Sequence, residues 1–400
     1  MGEWKDMISG EVLDLISGYA FKSKDFKEFP EQDDLPVIKI KNVANGDVNF
    51  DNVVFHSVSE KLEKYILEKG DILIAMTGNH PHAMTQVVGD VSRYKLSEKA
   101  LLNQRVGKLI AKDDNCLDFF YYHFKDAVNR NYLANQSSGS ANQANISKGD
   151  ILGIPMIIPE PKEQHAIAYV LSCLDDKIEL LHCQNQTLEN LGQALLTKCF
   201  ENLKEEENSL FDFFELLGGF AFKSKTYVDD GAYKVLTIKA VQDGYLETGN
   251  AATIIDLPEK LKEYQKLSIG DILMSLTGNV GRVCLVDETN CLLNQRVALV
   301  KPRDHALKSF AYFFFRQPEM ITRLTYLSKG SAQLNLSPVE TLNESEFFPK
   351  DESLNQFRNL ADPILQKIIS NKLSIHKVKA LRDTLLPKLM SGEIRIDTDG

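Results

Sequence analysis

The sequence contains no run of 18 apolar residues, so it offers no stretch that could cross a bilayer as a helix. Its first residues, Met-Gly-Glu-Trp-Lys-Asp, lack the basic-then-apolar pattern of a secretion signal, and the expected location is the cytoplasm. Six cysteines (Cys116, Cys173, Cys183, Cys199, Cys284 and Cys291) stand in no Cys-x-x-Cys or Cys/His ligand spacing, which points to reduced thiols and away from a zinc site. His80 and His82 are two apart and read better as a loop pair than as metal ligands. There is no G-x-x-x-x-G-K-[ST] phosphate loop, hence no ATP-driven motor, and no glycine-rich strand-to-helix fingerprint for a nucleotide cofactor. No Asn/Asp-Pro-Pro-aromatic motif suggests amino-methyl transfer, and no Ser or Cys sits in a nucleophile elbow. Asp71 and Asp271 each follow a glycine and read as turn residues rather than nuclease ligands. The expectation is a chain with no catalytic residue, no metal and no cofactor of its own.

What is present begins with length and pattern. At 400 residues the chain can form two or three domains with substantial cores. Between Lys162 and Phe200, apolar residues fall at Leu174, Ile178, Leu181, Leu188, Leu191 and Leu195, steps of three, four and seven. Only Gly192 is a weak helix former there. The spacing predicts one helix of roughly 38 residues, about 57 Å long at about 1.5 Å per residue. So long a seam wants a partner. Glu352 to Ser391 supplies one through Ile364, Ile368, Ile375, Val378, Leu381, Leu385 and Leu389, with a kink or restart expected near Pro363. The two match at a constant offset of 190 and end alike, Leu195-Leu196-Thr197-Lys198 against Leu385-Leu386-Pro387-Lys388.

The formal net charge of −10 argues against a generic nucleic-acid coat. It is unevenly spread: residues 160–207 hold 10 acidic and 4 basic side chains, residues 350–400 hold 9 basic and 7 acidic. Opposite net charge suits the two helices to each other. Any DNA-binding face must then be a local basic cluster.

The rest of the chain repeats as well. Gly18-Tyr19-Ala20-Phe21-Lys22-Ser23-Lys24 returns as Gly219-Phe220-Ala221-Phe222-Lys223-Ser224-Lys225. A strand over 37–41 entering a turn at Asn45-Gly46 returns over 235–239 with a turn at Asp243-Gly244, and a short helix at 60–62 returns at 259–261. Gly70-Asp71-Ile72-Leu73 with Thr77-Gly78-Asn79 returns at 270–273 and 277–279. Leu101-Leu102-Asn103-Gln104-Arg105-Val106 is repeated unchanged at 292–297. Aromatic helices at 119–122 and 312–315 follow, then Gly-Ser-Ala loops at 139–141 and 330–332. The expected fold class is α+β: two similar globules and two long antiparallel helices in a pseudo-two-fold internal repeat. The expected boundaries are a globule at 1–160, a helix at 161–203, a globule at 204–349 and a helix at 350–394.

Helices that each follow their own globule pack most simply antiparallel about a two-fold axis. Each seam carries one amide at a core position, Asn185 and Asn371, and a polar core residue fixes register. If those amides face each other, Ile178 lies opposite Val378 and Leu181 opposite Ile375.

The duplicated globules, the long helices and the ending Leu385-Leu386-Pro387-Lys388-Leu389-Met390-Ser391-Gly392-Glu393-Ile394 resemble the specificity subunit of a type I restriction-modification enzyme. The resemblance covers essentially the whole chain. The first globule departs from the second where His80-Pro81-His82 stands against Val280-Gly281-Arg282. The resemblance implies two target recognition domains, each reading half of a split target in double-stranded DNA. It implies helices that set the gap and dock two methyltransferase subunits, which bring S-adenosylmethionine to adenine N6. It leaves open motor-nuclease subunits using ATP and Mg. This chain would catalyse nothing. Two rivals remain: a self-contained DNA-modifying enzyme, and a protein-interaction coiled-coil scaffold.

The repeat also sorts candidate DNA-binding residues. Residues identical in both globules cannot tell two half-sites apart, so they are framework or touch phosphate. Lys22, Lys24, Lys223 and Lys225 fit phosphate contacts or plain solvated lysines. Asn103-Gln104-Arg105 and Asn294-Gln295-Arg296 fit framework or DNA contact. Thr77, Asn79, Thr277 and Asn279 form the bases of loops that then diverge. Base readers are expected in those loops: His80, His82 and Gln86 against Arg282, Asn142 and Gln143 against Gln333, and Asn45 against Gln242. Asn and Gln bond adenine bidentately and Arg bonds guanine.

Overall fold

The computed structural model describes residues 3–44, 46–79, 88–140, 143–200, 206–329, 334–348 and 351–397. The chain divides into two compact units, one of residues 1–176 with 379–400 and the other of 177–378. The two long helices run Pro161–Phe200 and Asp351–Met390, and each contributes to both units. The second helix passes Pro363 without a break.

In the first unit, strand Leu13–Ser17 pairs antiparallel with Val106–Ala111, which pairs antiparallel with Ile72–Ala75. Leu15, Leu109 and Ile72 lie in one cross-strand row. The second unit repeats this with Phe214–Gly218, Val297–Pro302 and Ile272–Ser275, where Leu216, Val300 and Ile272 form the row. A smaller sheet in each unit adds a parallel pair, Val37 with Leu101 and Val235 with Leu292.

The central Gly-Asp-Ile-Leu strands are buried on both faces, which is why they read as unbroken apolar runs rather than alternating ones. Successive side chains point to opposite faces. Ile72 and Ile74 enter the core under the aromatic helix Leu117–Lys125, while Leu73 and Ala75 face the smaller sheet. Ile272 and Met274 enter the core under Lys308–Phe315, while Leu273 faces the other way. These aromatic helices are the heart of each unit: Phe119, Phe120, Tyr121 and Tyr122 are sealed from water, as are Phe310, Phe313, Phe314 and Phe315. Each such ring contributes roughly 1.5–3 kcal/mol through burial.

Both helix endings now have a purpose. Leu386, Leu389 and Met390 are buried in the core of the first unit, and Leu196 in that of the second. The tail beyond the second helix is fastened as well. Arg395 makes two 2.6 Å bonds to Glu163 and lies over the Trp4 ring.

Some expected element limits shift. The strand foreseen over 37–41 stops at Ile38, because Asn42 offers the backbone another partner. Its buried amide accepts from the Lys39 N–H at 3.1 Å and donates to the Asp51 carbonyl at 3.0 Å, closing a 3-10 turn. The counterpart stops at Leu236, where Thr237 starts a turn to Ala240. The short helix at 60–62 is a 3-10 segment, Glu60–Tyr65, but its counterpart forms later, at Glu263–Gln265.

The helix seam has the foreseen antiparallel register. Within the second unit Asn371 Nδ2 lies 3.0 Å from Asn185 Oδ1, and Ile178, Leu181, Ile375 and Val378 form one cluster. Within the first unit the two helices also touch, Arg382 Nη1 reaching Asp175 Oδ1 at 2.8 Å.

Candidate functional site

In each unit the repeated motifs come together on one framework. Gly18 N donates to the Val106 carbonyl at 2.9 Å, Tyr19 N to Leu102 at 2.9 Å, and Gln104 N back to Tyr19 at 2.8 Å. In the second unit Gly219 N donates to Val297 at 3.3 Å, Phe220 N to Leu293 at 2.9 Å, and Gln295 N to Phe220 at 2.8 Å. The glycines are required by proximity. A Cβ at Gly18 would stand 2.0 Å from the Asn103 carbonyl oxygen, and one at Gly219 would stand 2.1 Å from that of Asn294.

The lysines sit just beyond this stitch. Lys22 and Lys24 flank and enter the 3-10 turn Ser23–Asp25, and Lys223 and Lys225 do the same at Ser224–Thr226. All four are exposed. The loop bases are also joined alike. Thr77 Oγ1 donates to Asn145 Oδ1 at 2.6 Å, and Thr277 Oγ1 to Asn335 Oδ1 at 3.1 Å. Both threonines therefore tie the Thr-Gly-Asn segment to an asparagine a few residues beyond the Gly-Ser-Ala motif. Asp71 and Asp271 accept the backbone N–H of Glu68 and Ser268 at 2.9 and 2.8 Å, closing turns.

The second unit's divergent residues converge. The Arg282 guanidinium donates to the Gln242 side-chain oxygen. Gln242 Nε2 is held by the Lys239 carbonyl at 2.8 Å. With its amide oriented to satisfy both groups, Asn279 accepts from Arg282 at 3.0 and 3.2 Å. Arg282, Gln242 and Asn279 thus form one polar cluster spanning the hairpin tip and the loop. Part of the Arg282 fork is committed within the chain, leaving fewer donors for a ligand. In the first unit Asn79 is at the edge of the corresponding loop. Asn45, His80, His82, Gln86, Asn142 and Gln333 lie outside the described residues, and of Gln143 only the backbone, in strand Gln143–Asn145, is described.

The hairpins are braced from beneath. Tyr121 Oη donates to the Gly46 carbonyl at 3.3 Å, and Lys372 Nζ to the Gly244 carbonyl at 2.8 Å. Behind them lie ion clusters that the sequence did not announce. Asp175 accepts from Tyr122 Oη and from Arg382 at 2.8 Å each. Glu189 accepts from Tyr312 and Arg316, and Arg316 also reaches Asp243 beside the hairpin glycine at 3.3 Å. Burial pushes the Glu189 carboxyl above its ordinary range, against the pull of the Arg316 guanidinium. These clusters fix the hairpins to the helices.

Arg105 and Arg296, which the sequence leaves between framework and DNA contact, share an unusual backbone. Both are exposed, and both take a left-handed backbone, with φ of 70° and 73°. The repeat marked them, but nothing in the residue type signals that conformation.

A family model described as the type I restriction modification DNA specificity domain matches residues 1–190 and 203–343. The chain is 26% identical to the type I restriction enzyme MjaIX specificity subunit of Methanocaldococcus jannaschii, over 98% of this chain and 94% of that one. It is 24% identical to the type I restriction enzyme EcoKI specificity subunit of Escherichia coli K12, over 96% of this chain and 87% of the relative. Among solved structures, the S subunit of a type I restriction-modification system from M. genitalium superposes with a TM-score of 0.57 at 17% identity, covering 97% of this chain and 96% of that one. That likeness establishes the fold.

Proposed function

Since the chain belongs to the type I restriction-modification DNA specificity family, and is a DNA-recognition subunit rather than a catalyst, we propose that each of its two units reads one half of a split DNA target. The observation that carries this reading is the repeated framework with unlike loops. The Gly18 and Gly219 stitches and the Thr77 and Thr277 ties have the same bonding, while the sequences of the loops beside them differ. A shared scaffold with different polar tips suits two readers of different sequence. The second half-site falls to Arg282, Gln242 and Gln333. The first falls to Asn45, His80, His82, Asn142 and Gln143. Lys22, Lys24, Lys223 and Lys225 hold phosphates, which position the duplex without reading it. Thr77, Asn79, Thr277 and Asn279 act through the loops whose bases they form.

The long helices, 40 residues each, serve as the rule that fixes the gap between half-sites and as the docking surface for two methyltransferase subunits. S-adenosylmethionine belongs to those subunits, as ATP and Mg²⁺ do to any motor-nuclease subunit that joins. The complex works in the cytoplasm, where its DNA is. Among the described residues no helix is long and apolar enough to cross a membrane.

The test is a methylation map of DNA from cells expressing this chain with its methyltransferase. The expected result is two short defined parts around a fixed unspecified gap, with modified adenine in each. A continuous motif, or methylation independent of the chain, would refute the split-site reading. A protein-only scaffold would then account better for the helices.

A further inference from the structure

Seven residues other than glycine have positive φ among the described residues: Asp33, Asn52, Arg105, Asp113, Asp230, Asn290 and Arg296. Five are Asp or Asn, the types that tolerate a left-handed backbone best. The other two are arginines at equivalent positions of the repeat. Glycine would take this conformation without strain, so a turn that needs only the shape has no use for arginine.

The turn is held on both sides. The Arg105 carbonyl accepts from Met76 N at 2.8 Å, and that of Arg296 from Leu276 N at 2.9 Å. The preceding Gln104 and Gln295 N–H groups are held by Tyr19 and Phe220, each at 2.8 Å. The backbone is therefore fixed where the Gly-x-Ala-Phe-Lys-Ser-Lys segment, the Thr-Gly-Asn loop base and the central sheet meet. Both side chains remain exposed, although Arg296 Nη1 donates to Asn335 Oδ1 at 3.0 Å. That asparagine also accepts from Thr277.

We infer that Arg105 and Arg296 are a matched pair of phosphate clamps, one on each half-site, that seat the duplex against each reading surface. The inference rests on the DNA-reading function and adds a role within it. An arginine identical in both units carries nothing that distinguishes the halves, whereas every half-site offers the same phosphates. A guanidinium presents parallel N–H donors that match phosphate oxygens in pairs. The strained turn fixes the Cα from which each fork projects.

The experiment uses the full chain assembled with its methyltransferase, binding a labelled duplex that carries its mapped target, titrated across salt concentrations. The variants are Arg105→Gln, Arg296→Gln and the double variant. Arg105→Gly and Arg296→Gly are added because they keep the turn in a conformation glycine prefers. Each substitution should weaken binding several-fold near 0.15 M salt and lower the slope of log affinity against log salt by about one, with the double variant losing about two. The methylated motif should not change. Unaltered affinity and slope in the Gln and Gly variants would overturn the inference, leaving the arginines as turn residues. So would a relaxed or altered motif, which would make them base readers. Failure of the unsubstituted complex to bind its target duplex would instead sink the DNA-reading assignment, and the clamp with it.

Discussion

Asn371 Nδ2 donates to Asn185 Oδ1 at 3.0 Å, in a helix seam where both amides are buried. Ile178, Leu181, Ile375 and Val378 pack as one cluster alongside. A slip of one turn would leave each amide facing leucine or isoleucine, so the pair sets register. Asn371→Leu should destabilise the protein by about 1–3 kcal/mol in urea unfolding, because Asn185 is left buried without its partner. The double change to leucine should recover most of that loss, since no orphaned amide remains. A neutral single variant would show that the pair contributes nothing to the seam.

Gly192 is an exception to helix propensity. Replacing a mid-helix glycine by alanine ordinarily stabilises by about 1 kcal/mol. Here the new Cβ would lie 2.1 Å from the ring of Phe313, which is wholly buried and has no room to retreat. Gly192→Ala should therefore destabilise, by about 1–3 kcal/mol as overpacking does. Hydrogen exchange over 308–315 should quicken in the variant. Slower exchange would mean that propensity outweighs the clash.

His123 makes the first unit sensitive to acid. Burial pushes its imidazole down to about 4, against about 6.5 when unfolded. Between those values the unfolded chain binds the extra proton and the folded chain does not, so stability falls as pH drops from about 6.5 toward 4. Unfolding followed by fluorescence of Trp4, the one tryptophan, reports this unit. His123→Phe should remove about 2–3 kcal/mol of the difference in stability between pH 7 and pH 4.5. An unchanged pH dependence in the variant would place the acid sensitivity elsewhere.

Arg282 anchors the second unit's polar cluster through Gln242 and Asn279. Arg282→Ala should relax methylation specificity at one or two positions of the second half-site, each by about 1–3 kcal/mol of discrimination. The first half should be untouched. Equal loss at both halves would remove Arg282 from base reading.

Much of this was legible in the residues themselves. The helix seam follows from Leu181, Ile375 and the two asparagines, because apolar spacing and one polar position per helix suffice to fix a register. The duplicated Gly-Asp-Ile-Leu and Asn-Gln-Arg motifs gave the framework, since identical local sequences build identical turns. The hidden parts depend on neighbours distant in sequence. Nothing beside Gly192 tells that Phe313 will press on it, and nothing beside Glu189 names Arg316 and Tyr312 as its partners. Lys39 and Lys41 carry strand-like surroundings, but the buried Asn42 bends the chain there. Arg105 and Arg296 were visible as repeated residues, but their left-handed backbone is set by hydrogen bonds from Met76 and Leu276.

The central claim is that each unit reads its own half of the target, and an exchange tests it most directly. Residues 204–349 would be replaced by the corresponding domain of a relative with a different mapped motif, and the methylated motif of the hybrid determined. A change confined to one half, with the other half and the gap retained, is the predicted result. A hybrid that folds and methylates yet alters both halves, or the gap, would contradict the two-reader account.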